Sequence, residues 1–248
     1  VWKKKLVDFF CNNIKYYKKI PTVVKTPALA EELRAQGAKN IYTVPVGLDK
    51  TLLKEDYLDY NIKNLLEKYG FHESDRVILF VGRMTAEKQP IKMVDIFYKI
   101  YQQNKQFRLI MIGQGELTNA VQEQITKYNL KSYITIYNKM PNDKMWELYR
   151  ISKCYVNLNT HEIFGMAILE AMYYECTVIA LNAPGPASII ENNISGYLGK
   201  NETEIVEKII VCGSGQMKNA ARKRVLDCFT WDKSAQIFLE IIKSHRKK

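Results

Sequence analysis

The sequence is poor in the residues that build a covalent or metal framework. Cys11, Cys154, Cys176, Cys212 and Cys228 are odd in number, widely spaced and contain no Cys-x-x-Cys pair. This argues against a disulfide scaffold or a cysteine zinc site and fits a reducing compartment, the cytoplasm. No apolar run approaches the roughly 18 residues that a membrane-spanning helix needs. Lys3, Lys4 and Lys5 before Leu6 and Val7 open like a secretory signal, but Asp8 interrupts the apolar stretch and no small-residue cleavage site follows. Asp-x-Asp is absent. A GxGxxG turn begins at Gly113 but fails at Thr118, which weakens a dehydrogenase-type dinucleotide fold. There is no internal repeat and no low-complexity segment. The first residue is Val1 rather than methionine, from which a longer parent protein is expected.

What is present is ordinary globular material: 248 residues, 47% hydrophobic and 25% charged. That is enough to bury a core in one large or two small domains. The net charge of +11 is concentrated at the two ends. Residues 1–20 hold six Lys against one Asp, and residues 218–248 hold nine Lys or Arg against three acids; the remainder is balanced. Solvated helix faces account for such charge, and an anionic partner such as a membrane surface is the sharper reading. Nucleic acid is disfavoured, because no binding motif accompanies the charge.

Short β-rich runs alternate with amphipathic stretches. Strands are expected at 22–25, 41–44, 77–82, 107–113, 133–137, 154–158 and 177–181. Helices are expected at 3–19, 27–36, 57–69, 90–104, 117–128, 142–152, 165–174, 202–211, 215–227 and 231–245. This rhythm predicts an α/β fold with a doubly wound, Rossmann-like parallel sheet whose ligands sit at the carboxyl ends of the strands. The turn-like run Pro45–Asp49 marks a boundary. Residues 1–46 read as the tail of a preceding domain, 47–230 as a ligand-binding domain and 231–248 as a basic helix.

Four segments carry candidate chemistry. In the run from Val77 to Lys88, a buried strand ends at Gly82, and Arg83 and Lys88 follow as two cations suited to a diphosphate. Gly113 and Gly115 are expected to make a tight strand-to-helix turn. In the run from Asn159 to Met172, a strand leads through His161, Glu162, Ile163 and Phe164 to a helix opening near Gly165, where free backbone N–H groups suit an anion or sugar oxygens. Glu162 and Glu170, eight positions apart, are placed to accept hydrogen bonds from different hydroxyl pairs of one elongated ligand. Asn182–Glu191 reads as a Pro/Gly loop after another buried strand.

Together these segments resemble the C-terminal, donor-binding half of family 4 (group 1) retaining glycosyltransferases of the GT-B fold, over roughly residues 40–230. The resemblance rests on Val46-Gly47-Leu48-Asp49, Gly82-Arg83 with Glu87-Lys88, Gly113-Gln-Gly115-Glu-Leu117, and the Glu162 to Glu170 pair enclosing Phe164-Gly165. It implies that Arg83 and Lys88 bind the donor diphosphate and that Glu170 holds the ribose. Glu162, with the Phe164–Gly165 backbone, would hold the transferred sugar. Arg83, Lys88 and Glu162 are then the catalytic candidates, and Gly82, Gly113, Met140, His161, Ile163 and Met166 complete the donor site. No metal or cofactor is implied. The expected partners are a nucleotide-sugar donor, an N-terminal acceptor-binding domain that is missing here apart from residues 1–46, and an anionic membrane surface at the inner face. Ile163 and Asn138 stand where the family favours Gly, and Pro186-Ala187 lie where it often has Gly-Gly. The alternative reading is a non-catalytic nucleotide-sugar-binding subunit that acts through a partner chain; a sugar-nucleotide epimerase is a more distant rival.

Overall fold

The computed structural model describes residues 20–50, 53–212 and 215–246; the expected basic helix at 3–19 lies outside them. The chain divides into two units, one joining residues up to Gly47 with Cys228 onward, the other spanning Leu48–Asp227. In the first unit β1 (Thr22–Val24) pairs in parallel with β2 (Ile41–Thr43). Between them runs α1 (Pro27–Ala35), with Pro27 in its first turn and the Thr26 side chain accepting from the Leu29 N–H. Val24, Ala30, Ala38 and Ile41 form its small core.

The second unit begins with a 3-10 turn at Tyr57–Asp59 and α2 (Ile62–Lys68). Here the single helix expected at 57–69 is corrected. Tyr60 is extended, and the Asn61 side chain accepts from the Lys63 and Asn64 N–H groups, so the helix starts afresh at that cap. There follow β3 (Arg76–Val81), α3 (Pro90–Gln103), β4 (Phe107–Ile112), α4 (Thr118–Lys127), β5 (Ile134–Tyr137) and α5 (Asn142–Ile151). Then come β6 (Ser152–Asn157), α6 (Met166–Tyr173), β7 (Thr177–Leu181), α7 (Pro184–Ile189), β8 (Tyr197–Gly199) and α8 (Glu202–Val211). After α9 (Gly215–Cys228), α10 (Trp231–Arg246) belongs to the first unit, where the Ser234 hydroxyl donates to the Pro45 carbonyl (2.6 Å).

The six strands β3–β8 form one parallel sheet in the order β5-β4-β3-β6-β7-β8. Helices on both faces leave its central strands no exposed side, which is why they read as unbroken apolar runs. Ile78, Phe80, Leu109, Met111, Cys154, Val156 and Ile179 lie in one core cluster with Met93, Ile96 and Phe97 of α3. Two further elements differ from expectation. The segment read as a Pro/Gly loop after β7 is the short helix α7, because Pro184 supplies the fixed φ of a first helical turn. Strand β8 is not among the expected strands: Tyr-Leu-Gly holds no β-branched residue, unlike the equally short β1 and β2, and its place comes from pairing with β7 at Ile179↔Tyr197.

Candidate functional site

The order of the sheet fixes where a ligand site forms. From β3 the chain winds outward through β4 and β5, then returns to place β6 on the other side of β3. Two neighbouring strands whose connections leave in opposite directions open a crevice at their carboxyl ends. The turn from Gly82 to Lys88 and the loop from Leu158 to Gly165 both emerge at that switch point.

The first turn is held tight from the β4 side. Gly113 has φ +134, and a Cβ there would lie 2.0 Å from the Gly82 carbonyl oxygen. Only glycine lets the two turns approach so closely. The Gly115 N–H bonds the Thr118 hydroxyl (3.0 Å) at the mouth of α4, so the two glycines make the strand-to-helix turn expected of them.

At the centre lies an ion pair. Lys88 Nζ is 2.7 Å from Glu162 Oε2, with side-chain exposures of 21% and 15%. Asn157 Nδ2 (3.4 Å) and Asn159 Nδ2 (3.3 Å) donate to the same oxygen, while Oε1 takes no hydrogen bond among the described residues. The carboxylate is anchored through Oε2, with Oε1 left open among the described residues. Arg83 is 73% exposed and, among the described residues, reaches only Glu87, at 4.0 Å; Glu87 in turn lies 3.9 Å from Lys88. The two cations are therefore unlike, Lys88 engaged and Arg83 extended into solvent.

The loop of Glu162 rests on α7. The Gly185 N–H donates to the Glu162 carbonyl (2.8 Å), and a Cβ at Gly185 would lie 2.4 Å from that oxygen. Phe164 is buried, Ile163 and Met166 are exposed, and Gly165, at φ +105, starts α6 with no side chain capping it. His161 is exposed, its ring bonded to the Thr160 hydroxyl (2.9 Å). Met140 is partly buried in the loop before α5.

Glu170 has a different environment. Ile168, Leu169, Ala171 and Met172 around it are buried, and the fully buried Tyr149 on α5 donates to its Oε2 (2.8 Å). Burial raises the Glu170 pKa above the ordinary glutamate value, and the Tyr149 bond acts against that rise.

The residue types alone did not reveal four contributors: Asn157, Asn159, Tyr149 and Gly185. Neutral amides and a tyrosine from another helix carry no motif, and Gly185 alone reads as a turn. Among the described residues no three His, Cys, Asp or Glu side chains converge as a metal site would require. No helix there is long and apolar enough to cross a membrane. A cavity of about 850 Å³ between α4 and edge strand β5, lined by Gln122, Lys127, Lys131 and Ile134 among others, includes none of the residues of the ion-pair cluster.

The sequence profile of the family described as glycosyl transferases group 1 matches residues 61–224. The amylovoran biosynthesis glycosyltransferase AmsD of Erwinia amylovora is 28% identical over 166 residues, covering 66% of this chain and 46% of that protein. The alpha-monoglucosyldiacylglycerol synthase of Acholeplasma laidlawii is 24% identical over 192 residues, covering 76% and 48%. The chain thus spans about half the length of these relatives. Among solved structures, a glycosyltransferase from Rickettsia africae ESF-5 superposes with a TM-score of 0.79 at 25% identity, over 93% of this chain and 66% of that one. Anabaena Alr3699/HepE in complex with UDP-glucose gives 0.77 at 17% identity, over 95% and 66%. The fold is that of one half of a GT-B glycosyltransferase, as the order of motifs implied.

Proposed function

The chain belongs to the group 1 glycosyl transferases, and on that premise we propose that it is the donor-binding half of a retaining enzyme that transfers a sugar from a UDP-sugar. UDP is chosen because Alr3699/HepE and the pneumococcal O-GlcNAc transferase GtfA, both similar in fold, were solved with it. The observation that carries the reading is the carboxylate of Glu162, pinned through Oε2 by Lys88 and two amides with Oε1 left open, at the switch point of the sheet.

In this reading Glu162 Oε1 accepts from a hydroxyl of the transferred sugar. Lys88 and Arg83 bind the diphosphate, Lys88 as a point charge and Arg83 as a fork that turns in from solvent. Both cations, with the N-terminal end of α6, stabilise the negative charge that develops on the diphosphate as the bond to the sugar breaks. Glu170 accepts from the ribose hydroxyls. The transfer needs no metal, since fixed cations take that role, and the acceptor is held by a further domain of the kind for which the greater length of the relatives leaves room. Gly82, Gly113 and the backbone of Phe164–Gly165 shape the pocket, with Met140, His161, Ile163 and Met166 at its rim.

Titration calorimetry of the chain with UDP and UDP-glucose in the presence of a chelator tests the reading. Binding that persists without metal is expected. Absence of binding, or binding restored only by magnesium or manganese, would defeat it.

A further inference from the structure

We propose that Asn159 is a positioning residue that sets the orientation of the Glu162 carboxylate and ties the two turns of the site together; the assignment rests on the donor-site reading above. Asn159 is 1% exposed, and every polar atom of its side chain is used. Its Nδ2 donates to Glu162 Oε2 (3.3 Å) and to Glu87 Oε1 (3.0 Å), and its Oδ1 accepts from the His161 N–H (2.8 Å). Its own N–H donates to Asn157 Oδ1 (3.0 Å), and Asn157 Nδ2 also reaches Glu162. One carboxamide therefore closes the loop that carries Glu162 and bridges to the turn that carries Glu87 and Lys88.

The chemistry explains why an amide stands there. Glu87 and Glu162 place two negative charges around one buried side chain, and a neutral group with two N–H donors satisfies both without adding a third charge. Lys88 cannot do this alone, because an ammonium on a four-carbon stem attracts the carboxylate without fixing its plane. The planar amide, held at its oxygen end by His161, adds the direction. With Oε2 fixed this way, Oε1 faces the ligand. Serine at this position could still accept from the His161 N–H, but its single hydroxyl could not donate to both carboxylates. Aspartate would keep the shape of the loop and repel both.

The test compares UDP with UDP-glucose and UDP-N-acetylglucosamine by calorimetry on the wild-type chain, Asn159→Ser and Asn159→Asp. The expected result is that Asn159→Ser loses about tenfold in affinity for whichever UDP-sugar the wild type binds, with UDP itself within about twofold. Asn159→Asp should lose more at neutral pH and recover part of the sugar-specific affinity as the pH falls, because a protonated carboxyl donates again. A purely structural asparagine would lower melting temperature and leave the ratio of UDP-sugar to UDP affinity unchanged in both variants; that result overturns the proposal. Equal losses for UDP and UDP-sugar overturn it too. A wild-type chain that binds neither ligand overturns the donor-site reading itself, and this assignment with it.

Discussion

Glu162 lies in a loop, paired with Lys88 at 2.7 Å and served by two asparagines on the same oxygen. Glu170, two turns further on, lies inside α6 among buried apolar side chains, and the hydroxyl of the buried Tyr149 donates to it. The first carboxylate pairs with a cation at the rim of a crevice. The second is held by a phenol against a burial that favours its proton. Two identical side chains eight positions apart thus have different surroundings: the loop glutamate is bonded through one oxygen to a cation and two amides, and the helix glutamate is buried and bonded to a phenol. The difference teaches that the spacing supplies two carboxylates to one edge of the sheet, whereas the neighbours contributed by β3, β6 and α5 decide what each can do.

The comparison breaks most completely if the frame beneath both residues is displaced. Gly113→Ala would place a Cβ 2.0 Å from the Gly82 carbonyl and force a side chain to φ +134. The expected cost is about 3 kcal/mol or more, seen as a large drop in melting temperature together with loss of UDP binding. A variant as stable as the wild type would show that the turns do not approach as described.

Tyr149→Phe sharpens the comparison from the Glu170 side. Removing a buried donor from Glu170 should cost about 1–3 kcal/mol of stability. It also removes the bond that opposes the rise in the Glu170 pKa, so that pKa climbs further. Between the ordinary glutamate pKa and this raised value the folded chain holds a proton that the unfolded chain has released. Raising the pH through that window therefore lowers stability, and the variant extends the window upward. UDP affinity, which needs the ionised carboxylate, should fall on mild acidification at a higher pH in Tyr149→Phe than in the wild type. An unchanged midpoint would detach Tyr149 from Glu170.

The smallest expected effect lies outside both glutamates. Gln89, between Lys88 and α3, sits at φ 55 and ψ 47, the left-handed region. Gln89→Gly should stabilise the chain by about 0.5–1 kcal/mol and leave the ratio of UDP-sugar to UDP affinity as it was. A changed ratio, read by the same calorimetry, would mean that this strained residue helps to shape the Lys88 turn.

Much of the frame was legible in the sequence. Val77–Phe80 and Leu109–Ile112 are apolar without alternation, as strands covered on both faces must be, and the Asn159–Met172 run announced a loop that enters a helix. The split at Tyr60 is masked in the sequence, since Asn61 is a good cap but apolar spacing continues across it. Strand β8 was illegible because Tyr-Leu-Gly has no β-branched residue and ends in glycine, whereas the equally short β1 and β2 carry valine, isoleucine and threonine; it acquires its identity by pairing with β7. At the site, Arg83, Lys88, Glu162 and Glu170 announce themselves by charge. Asn159 and Tyr149 do not, because a neutral amide or phenol becomes part of the site only when β3, β6 and α5 bring distant carboxylates to it. The structure also separates what the sequence grouped: Lys88 joins Glu162, while Arg83 extends into solvent.

The central claim, that Glu162 serves the sugar and Glu170 the nucleoside, is tested most directly by calorimetry with UDP and UDP-glucose on Glu162→Ala and Glu170→Ala. The account predicts that Glu170→Ala weakens both ligands alike, by about 1.5–3 kcal/mol. Glu162→Ala should weaken only UDP-glucose and leave UDP at or above wild-type affinity, because Lys88 is released from a competing carboxylate. Equal losses of UDP affinity in the two variants, or no loss of either ligand in either variant, would contradict it.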